Sequence, residues 1–457
     1  MSRYLEHMVD RLVMYLIASC LFLSLFILTW IGVGDIAIVS VLGFLLCAVG
    51  FVQGSVRMDL WVLVPLILYN LLSMASSYAT YGNIVDGYAS TQIIYVVLYL
   101  VLAYADEKQE YILHRLCAFW AVIVAVAGLC QFIYRTMTGS GSGRLSGILG
   151  NANALGIFLV VGWFVLLDCT EDREENRWNN FLLSMEPFLL AALAMTLSMG
   201  SFLAMALGIV ILLLGKKRRS SLKEMLRYAY NILAKAVLGV GVGLLLYLTG
   251  TRTDAPWFCL FLLLYLVALS VCWKKLDYFL KTYVKAAAVI ALSGVLVTAV
   301  VILIRPSSYA TFAERLEMMH SGLKYLTVNP FLGVGPYRWR FLDMYDGGTY
   351  YNTWHIHNAL LHVGVELGMA AMILLGVIVV RFLCKKNRAA LKAGFAAFFF
   401  HNMMDTSFFY LGITAMVLLA VGNPQSGGKM VRTGVMRVLF GGMAILFAYN
   451  LYYYMIA

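Results

Sequence analysis

The sequence predicts an all-α fold: a polytopic helical integral membrane protein of about 12–15 transmembrane helices, with one large extracytoplasmic loop containing short helices. Three observations predict it. Of 457 residues, 62% are hydrophobic and only 12% are charged, which excludes a soluble globular protein. The apolar runs are continuous and of helix length, without the strict alternation of an outer-membrane barrel. The basic residues gather in a few short connections between those runs, as positive-inside topology requires.

The elements follow in order. A short polar lead, Met1 to Arg11, has no small-residue cleavage site after it, so the first span is expected to be retained. Spans are expected near 12–31, 36–52, 60–76, 91–105, 116–134, 151–168, 180–197, 201–215, 236–250, 256–273, 286–304, 356–382, 389–404, 408–422 and 438–456. With the N-terminus cytoplasmic, the connections at 216–235, 274–285, 381–392 and 423–437 all fall inside. These carry Lys216-Lys217-Arg218-Arg219, Lys274-Lys275, Lys385-Lys386-x-Arg388 and Lys429-x-x-Arg432. The net charge of +11 is therefore a topology signal and gives no reason to expect a nucleic-acid partner. The division is into N-terminal transmembrane helices, 1–304, the large loop, 305–354, and C-terminal transmembrane helices, 355–457, in one membrane domain.

The same parity places Arg135, Arg144, Arg252, Arg305, Arg315, Lys324, Arg338 and Arg340 outside. All but one are arginine, whereas the inner clusters are evenly mixed. Arginine offers a planar fork that suits bidentate phosphate contacts, so this bias fits an outer site that handles an anion. The eight cysteines lie in spans or on the cytoplasmic side and show no C-x-x-C spacing, so neither a disulfide nor a zinc site is expected.

The long outer loop, Arg305 to Trp354, is rich in Tyr, Trp, Phe and Leu, which argues for order. Phe312, Leu316, Met319, Leu323 and Leu326 recur at near-helical spacing across Tyr309 to Val328, opposite Glu314, Arg315, Glu317 and His320. That pattern predicts an amphipathic helix on the outer membrane surface. Asn329-Pro330-Phe331-Leu332-Gly333-Val334-Gly335-Pro336 follows and is expected to be a tight loop. His355-Ile356-His357-Asn358 then enters an apolar helix containing Gly364, Glu366 and Gly368. At 100° per residue, Gly364 and Gly368 share the face of His357, and Asn358, His362 and Glu366 form a second stripe.

Asn329-Pro330-x-x-Gly333-x-Gly335, then His357-Asn358, nine residues and Gly368, resembles the O-antigen ligase and O-antigen (surface polysaccharide) polymerase superfamily of bacterial membrane glycosyltransferases. The resemblance extends to Arg315 and to Gly143-Arg144…Asn151-x-Asn153. It departs from the family at Ser198-Met199-Gly200, where the family carries Ser-Arg-Gly. Met199 replaces an anion-binding arginine there, and Arg252 or Arg144 is a candidate substitute.

The resemblance implies metal-independent, inverting glycosyl transfer from an undecaprenyl-pyrophosphate-linked glycan to an acceptor sugar hydroxyl, at the outer face of the bacterial cytoplasmic membrane. It makes His357 the catalytic base candidate. Arg315, Arg144, Arg252, Asn358, Asn153, Gly333, Gly335 and Asp405 are candidate substrate-binding residues. Each has a plainer alternative: a helix cap for His357, surface anchoring for Arg315, a flexible connector around Arg144, and interhelical packing for Asp405 and His401. Glu366 is expected to be a helix–helix hydrogen-bond partner. Only His355 and His357 stand at close spacing, so no metal is expected, and no cofactor is implied. The expected partners are the lipid-linked donor, a glycan or lipid-linked acceptor, membrane lipids and polysaccharide-assembly proteins. A transporter or flippase of a lipid-linked or anionic substrate is the alternative, although no internal repeat supports it.

Overall fold

The computed structural model describes residues 12–20, 33–140, 143–171, 176–217, 221–252, 257–304, 307–348, 351 and 353–456. Helices dominate them, and the one sheet among them is a two-stranded antiparallel ribbon, Val56–Met58 with Lys429–Val431, in the register Val56↔Val431. Among the described residues, eight helices are long and apolar enough to cross a membrane, and shorter apolar helices such as Met369–Cys384 and Leu411–Val421 accompany them. The all-α polytopic membrane fold expected from the sequence is the fold observed. The chain forms two units. The first comprises Met1–Leu113, Thr311–Lys386 and Asn402–Ala457, and the second His114–Ala310 and Asn387–His401.

In the first unit, the Thr433–Met455 helix packs along Val33–Phe51. A methyl group on Gly43 would enter the Phe447 ring, and one on Gly50 would enter the Phe440 ring. Glycines seven residues apart thus receive aromatics seven residues apart, the two-turn repeat that lets helices approach closely in lipid. Asn450 donates to Ser40 Oγ (2.7 Å) and the Ser90 carbonyl (2.8 Å) across the same packing. The Leu60–Tyr81 helix starts at Asp59, whose carboxylate accepts from the Trp61 N–H and pairs with Arg381 (2.8 Å) and Lys385 (3.5 Å).

In the second unit, the Leu222–Arg252 helix lies against Arg177–Thr196, where Gly243 meets the Ala191 backbone and Gly239 the Leu190 side chain. A buried polar cluster joins four helices there. Lys235 pairs with Glu186 (3.0 Å) and Asp277 (3.3 Å), and the Trp163 and Trp273 indoles donate to Glu186.

Three expectations change, one of them the connection at 274–285, which is helical to Thr282 and again from Val284. The span expected at 356–382 is two helices, Ala359–Leu367 and Met369–Cys384, separated at Gly368 with φ 92° and ψ 161°. His357 precedes the first, so it shares no helical face with Gly364 and Gly368. The connection expected at 216–235 is helical from Leu222 onward. Ser221 and Glu224 cap it reciprocally, Ser221 N–H to Glu224 Oε2 (2.9 Å) and Glu224 N–H to Ser221 Oγ (3.3 Å). That capping box stands in the sequence, and the basic run before it obscures the signal.

Candidate active site

The break at Gly368 explains the loop motif that precedes it. A helix ending inside protein leaves carbonyls without partners. Here Val334 N–H donates to the Val365 carbonyl (2.8 Å), Gly335 N–H to Glu366 (3.1 Å) and Met369 N–H to Pro330 (2.8 Å). The backbone of the Asn-Pro-x-x-Gly-x-Gly loop thus lies directly on the end of Ala359–Leu367. Gly333, Gly335 and Gly368 all have positive φ, and a Cβ on any of them would collide with Glu366, Thr80 or Phe331. Gly333 and Gly335 are the close-approach points of this clasp.

Glu366, fully buried, ties the next stretch down. Its carboxylate accepts from Tyr337 N–H (2.7 Å), Trp339 N–H (3.2 Å) and Tyr88 O–H (2.5 Å). Tyr337 is held at φ 59°, a conformation costly for a residue with a Cβ. His362 lies between: its Nδ1 accepts from Ile356 N–H (3.2 Å), so the neutral ring carries its proton on Nε2, 2.8 Å from Tyr88 Oη. These bonds bind the Ile356 and Tyr337–Trp339 backbones to one helix. Glu366 also makes the helix–helix bond expected of it, through its carbonyl, which accepts from Ser76 Oγ of the Leu60–Tyr81 helix (2.9 Å), while its carboxylate holds the loop and Tyr88 and lies 3.3 Å from His362 Nε2.

Asn358 occupies the N-cap of Ala359–Leu367, its side chain accepting from Leu361 N–H (3.0 Å) and its own N–H reaching the Ile356 carbonyl (2.6 Å). This turn presents His357 just outside the helix. His355, by contrast, is buried and stacked on Phe409, with centroids 4.3 Å apart. Burial, reinforced by His362 and His357, holds the His355 pKa well below the ordinary histidine range. His357 is half-buried, and its shielded Nδ1 has no hydrogen-bond partner among the described residues. Burial first, and Arg315 and His362 with it, lowers the His357 pKa, while Asp405 and Glu314 oppose the shift. The balance leaves a neutral imidazole at neutral pH.

Arg315, on the Ser307–Val328 helix, donates to the Met404 carbonyl (2.6 Å) and to Asp405 Oδ2 (3.2 Å). Asp405 also accepts from Thr406 N–H (2.8 Å). Two N–H donors of the guanidinium are engaged, and Nε–H has no partner among the described residues. The fork is oriented with donors to spare. Its helix buries Met318 and Tyr325 and leaves Phe312, Leu316 and Leu323 exposed, so an apolar stripe remains available to lipid.

Arg144, Asn153 and Arg252 belong to the second unit. Arg144 donates to the Thr196 carbonyl (2.8 Å) and to Asn153 Oδ1 (2.6 Å), and Asn151 caps the Ala152–Thr170 helix. Arg252, exposed, ends the Leu222–Arg252 helix. Met199 begins the Met199–Lys217 helix. Among the described residues, no three His, Cys, Asp or Glu side chains converge as a metal site.

Sequence reasoning brought Arg315, Asp405 and His357 forward singly, and Arg315 and Asp405 are found as a pair. It missed Tyr88, which lies 274 residues from His362 with no local signal. Residues 236–376 match the family model described as O-antigen ligase, a stretch containing Arg315, the glycine loop, His357 and Gly368. No curated protein matches the chain. Over that stretch the chain is similar to the O-antigen ligase family, and its multi-pass helical fold is that of a membrane protein.

Proposed function

We propose that this chain transfers a glycan from undecaprenyl pyrophosphate to an acceptor sugar hydroxyl at the outer face of the cytoplasmic membrane, without a metal ion. The observation that carries the reading is the state of His357. It is a neutral imidazole set outside a capped helix, with a shielded nitrogen that no described residue satisfies. Such a group takes the proton from a hydroxyl as that oxygen attacks the anomeric carbon. The lipid pyrophosphate leaves with the electrons of the broken glycosidic C–O bond, and direct displacement inverts the centre. Arg315, held by Asp405, meets the charge growing on the departing pyrophosphate with its remaining donors. Positioning without reorganisation is the advantage of an arginine fixed in advance. Asn358 and the glycine clasp hold His357 in place. Arg144, Asn153 and Arg252 remain candidates for contacts to the rest of the glycan.

The test is carrier-linked glycan in cells lacking a functional copy. Lipid-linked units accumulating on the outer leaflet support transfer. Accumulation on the inner leaflet would mean a transporter and overturn the reading.

A further inference from the structure

Four helices of the first unit meet at the two-stranded ribbon. Val33–Phe51 leads into Val56–Met58 and Leu60–Tyr81 leads out of it, and Leu411–Val421 and Thr433–Met455 flank Lys429–Val431 in the same way. The ribbon therefore stands at the Asp59 end of Leu60–Tyr81, about 33 Å from the end that touches the glycine loop. In its register Arg57 is opposite Met430, and both are exposed, whereas Val56 and Val431 are buried. Arg432 is extended, with φ −71° and ψ 148°, and lies two residues beyond Met430. It thus shares a face with Arg57, diagonally across the ribbon at about 7–8 Å. Both arginines are exposed, and neither guanidinium has a hydrogen-bond or ion-pair partner among the described residues. The carboxylate next to the ribbon, Asp59, is held by Arg381 and Lys385. A third cation, Arg437, lies over the Phe51 ring, 5.9 Å from its centroid. Phe51, Val52, Val435 and Val438 are exposed as well, so apolar surface adjoins the cations.

We propose that Arg57 and Arg432 clasp the phosphodiester of an anionic phospholipid, whose acyl chains run along the apolar surface of Phe51, Val435 and Val438. Two guanidinium forks on one ribbon face give paired N–H donors to a single phosphate from both sides, a geometry that ammonium groups do not offer. Two arginines against one phosphodiester leave an excess of positive charge. That excess favours a headgroup with no cation of its own, such as phosphatidylglycerol, over a zwitterionic one. Lys429 takes no part, because strand alternation turns it away from the face of Arg57 and Met430. Bound there, the lipid bridges the strand before Leu60–Tyr81 and the residue that begins Thr433–Met455, and so fastens the last span to the ribbon. The basic connections mark this face as cytoplasmic, so the lipid comes from the inner leaflet. The site serves the fold whichever reaction the opposite face performs.

The experiment places the purified full-length chain in nanodiscs of phosphatidylcholine, with and without phosphatidylglycerol, and reads retained lipid by native mass spectrometry. The wild type should retain phosphatidylglycerol over phosphatidylcholine and unfold at a higher temperature in its presence, as a ligand of the folded state requires. Arg57→Gln with Arg432→Gln should weaken retention about tenfold or more, since charge-assisted contacts are lost, and its unfolding should no longer respond to that lipid. In phosphatidylcholine alone this double variant should unfold with the wild type, because neither arginine is paired. Lys429→Gln removes a charge from the other face and should leave both readings unchanged. If the glutamine pair does not fold, Arg57→Lys with Arg432→Lys decides: it keeps the charge, loses the forks and should retain less lipid. Equal retention of the two lipids by the wild type overturns the proposal, as does wild-type retention in either arginine pair. Equal losses in Lys429→Gln and Arg57→Gln would mean diffuse charge and overturn the site. Displacement by millimolar inorganic phosphate overturns the lipid source. Polyglutamate bound by the wild type and not by the glutamine pair, with no lipid retained, would replace the lipid by an acidic protein segment.

Discussion

His357 owes its position to a neighbour: Asn358 caps the helix, and the cap turn presents the imidazole. His357→Ala should therefore fold and reach the membrane, yet lose roughly 10²–10⁴-fold in transfer rate, the usual contribution of a general base. His357→Gln keeps a hydrogen bond without a base. Near-normal turnover of that variant, at normal protein levels, would leave His357 as a positioning residue. The pH profile carries a sign. The base works when neutral, and its pKa lies below the ordinary value of 6.5. The rate should stay flat through neutral pH and fall only on the acid side of the usual histidine range. At Arg315, replacement by lysine keeps the charge but cannot span the Met404 carbonyl and Asp405 while offering a phosphate further donors. Arg315→Lys should lose most activity, and wild-type rates in that variant would reduce the residue to membrane anchoring. Both residues were legible in the sequence because each stands in or beside a motif. Glu366 was legible as buried, but not its partners: Ser76 and Tyr88 are 290 and 278 positions away, and only the folded chain brings them together.

At the scale of elements, hydropathy and spacing were enough to place most helices, including the amphipathic helix expected over 309–328 and found as Ser307–Val328. The broken helix was not legible, because the run from Leu367 to Val380 stays apolar across Gly368 and periodicity carries no mark of the interruption. What breaks it is tertiary: Phe331 and Leu332 occupy the space where a side chain would stand, and the Pro330 carbonyl takes the Met369 N–H. Two glycines of the same segment therefore respond in opposite directions to alanine. Gly376 lies within the Met369–Cys384 helix with nothing near its absent Cβ, so Gly376→Ala should be neutral or stabilise by up to about 1 kcal/mol. Gly368→Ala meets both a left-handed backbone and the Phe331 carbonyl, and it should destabilise by more than that and depress activity by displacing the clasp. Thermal unfolding of the two variants in one detergent is the comparison. Equal midpoints would mean that the clasp is free to move, and that Gly333 and Gly335 do not fix it.

At the scale of the molecule, the first unit contains its own gauge of topology. The Leu60–Tyr81 helix, 22 residues and about 33 Å long, matches the hydrocarbon thickness of a bilayer. Asp59 at its start holds Arg381 and Lys385 of the basic cluster, and Tyr81 at its end donates to the Pro336 carbonyl in the glycine loop. If this helix spans, the basic cluster and the loop stand on opposite faces of the membrane, whatever the count of the other spans. The positive-inside rule then puts the cluster in the cytoplasm and the loop outside. Cysteines introduced singly at Tyr345 and at Lys275, both exposed, test this with a membrane-impermeant thiol reagent on intact cells. The background must lack native cysteines, since Cys130, Cys272 and Cys384 are exposed. Position 345 should label in intact cells and position 275 only after permeabilisation. Because Tyr345 is in the same unit as Asp59 and Lys275 is in the other, the two positions answer separate questions. Label at 275 alone would invert the whole topology and move His357 to the cytoplasmic side, where an externally presented donor cannot reach it. Label at both would keep the loop outside and show an odd number of crossings misassigned between Leu60 and Lys275.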